Sequence, residues 1–112
     1  SLPQLPVQTD SGLLEAVLQM EPMEWPVREG RCLALSDGGE QSLIYVLSGS
    51  RLFVPQADGG EHIEVRRIDM NSGRIAASQV VDGGQEQELP VGEVPALFWL
   101  IRKSSSEQRF GR

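Results

Sequence analysis

Short apolar runs separated by glycine-rich turns dominate the chain from Trp25 onward. Residues 31–36 (RCLALS) and 42–47 (SLIYVL) are rich in side chains that favour strands. Between them, residues 37–39 (DGG) supply the backbone freedom that a tight turn needs. These two runs therefore predict an antiparallel hairpin.

The same alternation of runs and turns continues to the end of the chain. Along residues 62–68, Ile63 and Val65 alternate with polar side chains, so one face of that strand is expected to be buried and the other wet. A second DGG turn, at residues 82–84, predicts a hairpin between the strands on either side of it. Strands are expected at residues 51–54, 62–68, 74–81 and 86–89, with loops at residues 55–60 and a turn at residues 71–73.

Two apolar segments fit more than one kind of element. Residues 96–103 (ALFWLIRK) suit either a helix opened by Pro95 or a strand buried on both faces, and their aromatic content and missing polar face favour the strand. Residues 13–20 (LLEAVLQM) are good helix formers in a short segment that ends at Pro22. We favour a helix there, and a first strand is the alternative.

Together these elements predict a mainly β fold: an antiparallel β-sandwich or small open barrel of about six or seven strands, with one short N-terminal helix. The chain has 112 residues, the length of one ordinary domain. We expect residues 1–10, which contain two prolines, to be an extended tether. Residues 11–104 are expected to form the single β domain and residues 105–112 a flexible tail.

Charge narrows the possible partners. Ten Lys and Arg against sixteen Asp and Glu give a net charge of -6, and the basic residues are scattered. A nucleic-acid binder needs a clustered positive surface, and attachment to anionic lipid needs a polybasic patch, so neither partner is expected. No apolar run approaches the roughly 20 residues of a membrane-spanning helix. Membrane contact is therefore expected only through an N-terminal anchor that is absent from this chain and would precede Ser1.

The reactive side chains are few. Cys32 is the only cysteine, which excludes an intramolecular disulfide, and His62 is the only histidine. A Cys32–His62 catalytic pair is disfavoured, because Cys32 belongs to an apolar strand and His62 to a wet face. Among Glu61, His62 and Glu64, only His62 and Glu64 share a face, which is too few ligands for a metal site. We expect a non-catalytic protein without metal or cofactor.

Large apolar side chains are the more informative candidates for function. In residues 22–26 (PMEWP) two prolines stiffen a loop around Trp25, which either packs on the core or anchors a partner. Trp99 lies in a run that is apolar on both faces and so needs a cover on each side. The candidate contacts for a protein partner, or for an acyl chain in an apolar groove, are Met23, Trp25, Phe98 and Trp99.

Three segments suggest a family resemblance: residues 14–20 (LEAVLQM), 25–30 (WPVREG) and 31–37 (RCLALSD), which read as strand, proline-and-glycine loop, and strand. With the proline-containing leader, this order resembles small bacterial outer-membrane lipoproteins, in particular the pilotins of type III secretion systems. The resemblance implies an exported accessory factor on the periplasmic face of the outer membrane, anchored by a lipidated cysteine ahead of Ser1. It also implies a groove that binds a secretin subunit and helps it to localise or assemble.

Two other classes remain open. A cytoplasmic protein, such as an immunity or regulatory subunit, would use the acidic surface to meet a basic partner. A small hydrolase would act through His62 or a pair of carboxylates, and such a pair is expected by chance in a chain with sixteen acids.

Overall fold

The fold is taken from a computed structural model, which describes residues 12–27, 29–57 and 61–104. The expected tether and tail lie outside the described residues. One short helix precedes eight strands within the described part of the chain. The elements are α1 (Leu13–Val17), β1 (Glu21–Met23), β2 (Arg31–Ser36), β3 (Gln41–Ser48), β4 (Arg51–Val54), β5 (Glu61–Ile68), β6 (Ile75–Asp82), β7 (Gln87–Pro90) and β8 (Ala96–Ser104).

The strands form two antiparallel sheets. The larger sheet has the order β1-β2-β3-β8-β5-β6, and β4 pairs with β7 in a small second sheet. The expected mainly β, sandwich-like fold is confirmed, and the described strands do not close into a barrel.

The main core lies between the two sheets. Alternate residues of the central strands, such as Ile44, Val65 and Phe98, point to this side and are buried. From the small sheet and its flanks, Leu52, Val54 and Val91 close the core. The observed burial of Ile63 and Val65, with polar neighbours on the other face, confirms the pattern expected for β5.

Strand β8 lies in the middle of the larger sheet, between β3 and β5. Phe98 and Leu100 face the small sheet, whereas Trp99 belongs to a second hydrophobic cluster on the opposite face. This confirms that residues 96–103 form a strand buried on both faces. A central strand without a polar face requires such a cover on each side.

Helix α1 provides the cover on the second face. Leu13 and Ala16 pack there with Ile68 and Trp99. The preferred helix for the N-terminal segment is therefore confirmed, although it ends at Val17 and not at Met20. The strand that the family resemblance implies within residues 14–20 is wrong. The observed strand β1 starts only at Glu21.

Two further expectations need correction. The chain around Pro22, expected to be a loop, forms the short strand β1 against β2. The predicted hairpin across residues 82–84 is also wrong, because β7 pairs with β4 and not with β6. The amide N–H of Gly83 donates a hydrogen bond to the carbonyl oxygen of Glu61, and the carbonyl oxygen of Gly83 accepts one from the amide of Ala57. These two bonds direct the chain toward the small sheet.

Candidate functional site

The described part of the chain does not bring its cysteine and its histidine together. Cys32 on β2 and His62 on β5 are separated by the whole width of β3 and β8. At the usual spacing of neighbouring strands this amounts to about 14 Å. Within residues 12–27, 29–57 and 61–104, no group of three or more His, Cys, Asp or Glu side chains has the geometry to hold a metal ion.

The four candidate contact residues fall into two pairs. Phe98 and Trp99 are 5% and 4% exposed and belong to the two hydrophobic clusters. They are therefore packing residues, which corrects their expected role at a partner surface. Met23 and Trp25 instead lie at the edge of the larger sheet, where the surface opens.

Trp25 is held by both sheets. Its ring packs against the main core, and its Nε1 donates a 2.8 Å hydrogen bond to the carbonyl oxygen of Phe53 in β4. The chain therefore leaves the β1–β2 ladder after Met23 and crosses toward the small sheet. Trp25 was expected either to pack on the core or to anchor a partner. In the structure its ring packs on the core and also lines a groove.

The departure of the chain leaves part of β2 uncovered. β1 pairs only with residues 34–36, so the outer edge of β2 at Arg31, Cys32 and Leu33 has no strand beside it among the described residues. In this position Leu33 is 61% exposed, a large fraction for a leucine in a strand.

A groove of about 740 Å³ follows this edge of β2. Its floor contains two pairs of residues that lie opposite each other on β2 and β3: Leu33 with Tyr45, and Leu35 with Leu43. Among the described residues that line it, Glu24 carries the one charge. We refer to this surface, formed mainly by Met23, Trp25, Cys32, Leu33, Leu35 and Tyr45, as the edge groove.

Cys32 lies in the edge groove with its side chain packed partly against the main core. Burial raises the pKa of the Cys32 thiol above its ordinary value, because the thiolate loses solvation there. The cysteine therefore contributes a small apolar surface to the groove and is poorly suited to act as a nucleophile at neutral pH.

A second hollow of about 610 Å³, which we call the inter-sheet cleft, opens between the two sheets on the other side of Met23 and Trp25. Its interior is apolar at Val54, Ile63 and Leu100. The rim of the cleft carries the acidic residues Glu21, Asp37 and Glu40.

The one cation that lines the inter-sheet cleft among the described residues is Arg102. Its Nη2 donates a 2.8 Å hydrogen bond to the carbonyl oxygen of Gly39, and its Nη1 lies 3.8 Å from Oε1 of Glu61. Arg102 is therefore already engaged by the protein, and the rim keeps an acidic character.

Leu33, Leu35 and Tyr45 line the edge groove but were not among the contact residues expected from the sequence. Their alternation with Ala34 and Ile44 was visible in the sequence and showed that both faces of the hairpin are apolar. What the sequence did not show is that α1 covers the neighbouring part of this face and leaves Leu33 largely bare.

No protein-family model matches the chain, and no curated protein matches it either. Within the described residues, the structure contains no helix with the length and apolar character needed to cross a membrane. Proposals about function therefore depend on the edge groove, the inter-sheet cleft and the charge around them.

Proposed function

We propose that this protein is a non-catalytic binding module that holds an extended, apolar segment of a partner protein in the edge groove. The observation that carries the proposal is the exposure of Leu33 beside Leu35, Tyr45 and Met23. Of the described residues that line this groove, one is charged. A contiguous apolar surface of this kind on a small protein is typical of an interaction site.

The backbone of β2 supports an extended conformation for the bound segment. Residues 31–33 present a strand edge without a neighbour among the described strands, and a peptide strand placed there would continue the larger sheet beyond β2. Main-chain hydrogen bonds would then supply affinity, and contacts of alternate side chains with Leu33 and Tyr45 would supply selectivity.

The partner that we propose is a protein of the bacterial envelope or of a secretion system, with a secretin subunit as the first candidate. The apolar groove supports this choice. The part of the pilotin resemblance that lies in residues 25–37 supports it as well, whereas the strand that the resemblance implies within residues 14–20 is absent from the structure. In that setting the domain would work at the periplasmic face of the outer membrane, attached through an N-terminal anchor ahead of Ser1.

The groove proposal is tested with Leu33→Asp and a matched control, Leu18→Asp. Leu18 is 73% exposed and follows α1, so both changes place a carboxylate on an exposed leucine. Binding is measured by fluorescence anisotropy against synthetic peptides tiled across the secretin subunit of the source organism. We expect one apolar peptide to bind the wild type and the L18D variant, and to lose at least about tenfold in affinity with L33D.

Equal binding by both variants would contradict the groove proposal, and a wild type that binds none of the peptides would contradict the choice of a secretin subunit as the partner. A parallel titration with a fatty acid distinguishes the occupants of the groove. If the fatty acid binds the wild type, is lost with L33D, and no peptide binds, the groove holds an acyl chain and the protein-partner proposal fails.

The cellular setting is tested separately by intact-mass measurement of the protein from fractionated native cells. A diacylated or triacylated cysteine ahead of Ser1, in the outer-membrane fraction, is expected. An unmodified protein in the cytosol would overturn the anchored version while leaving the groove proposal in place.

The acidic rim of the inter-sheet cleft favours a second candidate, a cytoplasmic immunity or regulatory subunit that binds a basic partner. Glu21, Asp37 and Glu40 line this cleft, and Arg102 is occupied within the protein. Binding through these carboxylates should weaken steeply with added salt, whereas binding through the edge groove should change little. Measuring the dissociation constant of the complex between this protein and its partner at increasing salt concentration therefore distinguishes the two candidates.

A further inference from the structure

The segment that follows β8 differs from the rest of the chain in charge. Residues 105–112 (SSEQRFGR), which we call the tail, contain Arg109 and Arg112 against one acid, Glu107, in a chain whose net charge is -6. Between the two arginines lies one large apolar side chain, Phe110. An aromatic ring flanked by cations suits a surface that is apolar inside and acidic at its rim.

Strand β8 leads the tail to the mouth of the inter-sheet cleft. Leu100 and Arg102 of this strand both line the cleft, and the strand ends at Ser104. The amide of Arg102 also donates a hydrogen bond to the carbonyl oxygen of Glu40 at the rim. At the usual rise of a strand, the tail therefore begins within about 10 Å of Arg102.

The inter-sheet cleft offers the complementary surface. Its volume of about 610 Å³ and its apolar interior can hold a phenyl ring. At its rim Glu21 and Glu40 are exposed, and the described residues place no ion pair on either carboxylate. Arg102 does not neutralise them, because it is bonded to Gly39 and paired with Glu61.

A buried carboxylate oxygen near the start of the tail also needs a hydrogen-bond donor. Glu61 lies opposite Ser104 at the end of the β5–β8 ladder. Its Oε1 is buried, lies 3.8 Å from Nη1 of Arg102, and accepts no hydrogen bond from the described residues. A buried oxygen left without a hydrogen bond lowers stability, and the tail carries suitable donors from Ser105 onward.

We propose that the tail folds back into the inter-sheet cleft, with the ring of Phe110 in the apolar interior and Arg109 and Arg112 at the acidic rim. The length of the tail permits this arrangement. The chain between Ser104 and Phe110 spans about 20 Å when extended, which is enough to return the ring past Arg102. This bound tail replaces the flexible tail that the sequence led us to expect.

Covalent attachment favours the tail of the same chain over a separate molecule as the occupant. A segment joined to its site by a short linker has an effective concentration on the order of mM there. A contact of modest affinity then fills the cleft for most of the time. A second copy of this chain has no such advantage, because its net charge of -6 repels the acidic rim.

The bound tail regulates access to the cleft. A basic partner has to displace Phe110 and the two arginines before it reaches the acidic rim, so its measured affinity falls with the fraction of molecules in which the cleft is open. This role goes beyond binding in the edge groove and does not depend on it. The edge groove lies on the other side of Met23 and Trp25.

The first test places a nitroxide spin label beside Phe110, through Gly111→Cys in a Cys32→Ser background of the full chain. NMR amide intensities before and after reduction of the label show which residues lie near it. We expect Ala57, which lines the cleft, to lose most of its intensity, and Gly73, in the turn at the other end of β5, to keep it. Equal losses at both, or a loss centred on Leu33 in the edge groove, would overturn the proposal.

The second test reverses one charge at the rim of the cleft in the labelled chain. Glu40→Lys and the matched control Glu15→Lys both replace an exposed glutamate and change the net charge equally, but only Glu40 lines the cleft. We expect E40K to restore most of the intensity of Ala57 and E15K to leave it low. If the two variants give the same intensity, the arginines do not meet the rim and the proposal fails.

A third measurement needs no label and leaves Cys32 in place. Phe110→Ala in the full chain removes one aromatic ring, and the ring current of that ring acts only on nuclei close to it. We expect the amide signals of Ile63 and Leu100 and the indole signal of Trp25 to shift, because all three residues line the cleft. Unchanged positions of these three signals would overturn the proposal.

Discussion

The indole Nε1 of Trp25 donates a 2.8 Å hydrogen bond to the carbonyl oxygen of Phe53, and this bond joins the two sheets. Trp25 follows β1 of the larger sheet, whereas Phe53 belongs to β4 of the small sheet. The ring of Trp25 also packs on the main core, and it lines both the edge groove and the inter-sheet cleft. The hydrogen bond to Phe53 therefore fixes the position of a side chain that separates the two hollows.

Replacing Trp25 should affect stability in two separable ways. Trp25→Phe keeps most of the packing and removes the indole donor, so the free energy of unfolding is expected to fall by about 1 kcal/mol. Trp25→Ala removes the packing as well, with an expected loss of about 3 kcal/mol. Urea unfolding followed by circular dichroism measures both. Equal stability of wild type and W25A would contradict a contribution of Trp25 to the packing of the main core.

Replacing two glycines that have similar backbone angles with alanine is expected to lower the free energy of unfolding by very different amounts. Gly30 and Gly38 have φ values of 80° and 84°, a region that is unfavourable for other residues. A Cβ at Gly30 would overlap the carbonyl oxygen of Ser48, whereas a Cβ at Gly38 would meet nothing within 4 Å. The close approach at Gly30 sits directly before β2, where the edge groove begins.

Gly38→Ala is therefore expected to lower the free energy of unfolding by about 1 kcal/mol, through the backbone angle alone. Gly30→Ala should cost about 3 kcal/mol, because backbone must also move. Chemical denaturation of the two variants under one set of conditions provides the comparison. Similar losses for both would contradict the close approach between Gly30 and Ser48.

All the observed strands except β1 were predictable from the sequence, because their signals are local. β2, β4 and β8 begin where the apolar runs and turns place them, and the hairpin of β2 and β3 follows from a turn in which Oδ1 of Asp37 accepts bonds from the amides of Gly39 and Gln41. The partner of β7 was not predictable in this way. Its pairing with β4 depends on contacts between distant parts of the chain, such as the bond from Val91 N to Ser50 O.

The candidate site was predictable only in part for the same reason. The two prolines around Trp25 marked the right segment, and Met23 and Trp25 do lie at the groove. Phe98 and Trp99 have equally apolar surroundings in the sequence, but β8 occupies the centre of the sheet and both are buried. The apolar pattern shows which side chains need cover, whereas strand order decides which of them receive it.

The thiol of Cys32 should report on the edge groove. Because burial raises its pKa, the fraction of thiolate at neutral pH is lower than for a free cysteine, and alkylation by iodoacetamide should be slow. The rate should increase on unfolding in urea and decrease further when a peptide occupies the groove. If the thiol is alkylated as fast in the folded protein as in urea, the burial of the thiol is contradicted. If a bound peptide leaves the alkylation rate unchanged, that peptide lies outside the groove.

An ion-pair network on the second face of the larger sheet predicts a specific dependence of stability on pH. Glu64 accepts hydrogen bonds from Nε and Nη2 of Arg66, at 2.8 and 3.3 Å, and lies 2.9 Å from Nζ of Lys103. Arg66 in turn lies over the ring of Trp99, 4.6 Å from its centroid. The hydrogen bonds from Arg66, followed by the bond from Lys103, hold the pKa of Glu64 below its ordinary value of 4.5.

A lowered carboxylate pKa stabilises the folded state wherever the carboxylate is ionised, that is, above the pKa of 4.5 that it has in the unfolded chain. As pH falls below 4.5, the unfolded chain takes up a proton first, and this contribution is lost as pH passes through the lower pKa of the folded state. Glu64→Gln should therefore cost about 0.5–1 kcal/mol at pH 7, and the difference from wild type should shrink below pH 4.5.

Urea unfolding of the wild type and E64Q across the acid range measures this change, with Glu15→Gln as a control that neutralises an exposed acid on α1 outside the network. We expect only the E64Q difference to decline in step with protonation of Glu64. Because Arg66 also covers Trp99, the same loss should appear as a shift in tryptophan fluorescence before global unfolding. A constant difference between wild type and E64Q at all pH values would show that Glu64 acts through packing and not through its charge.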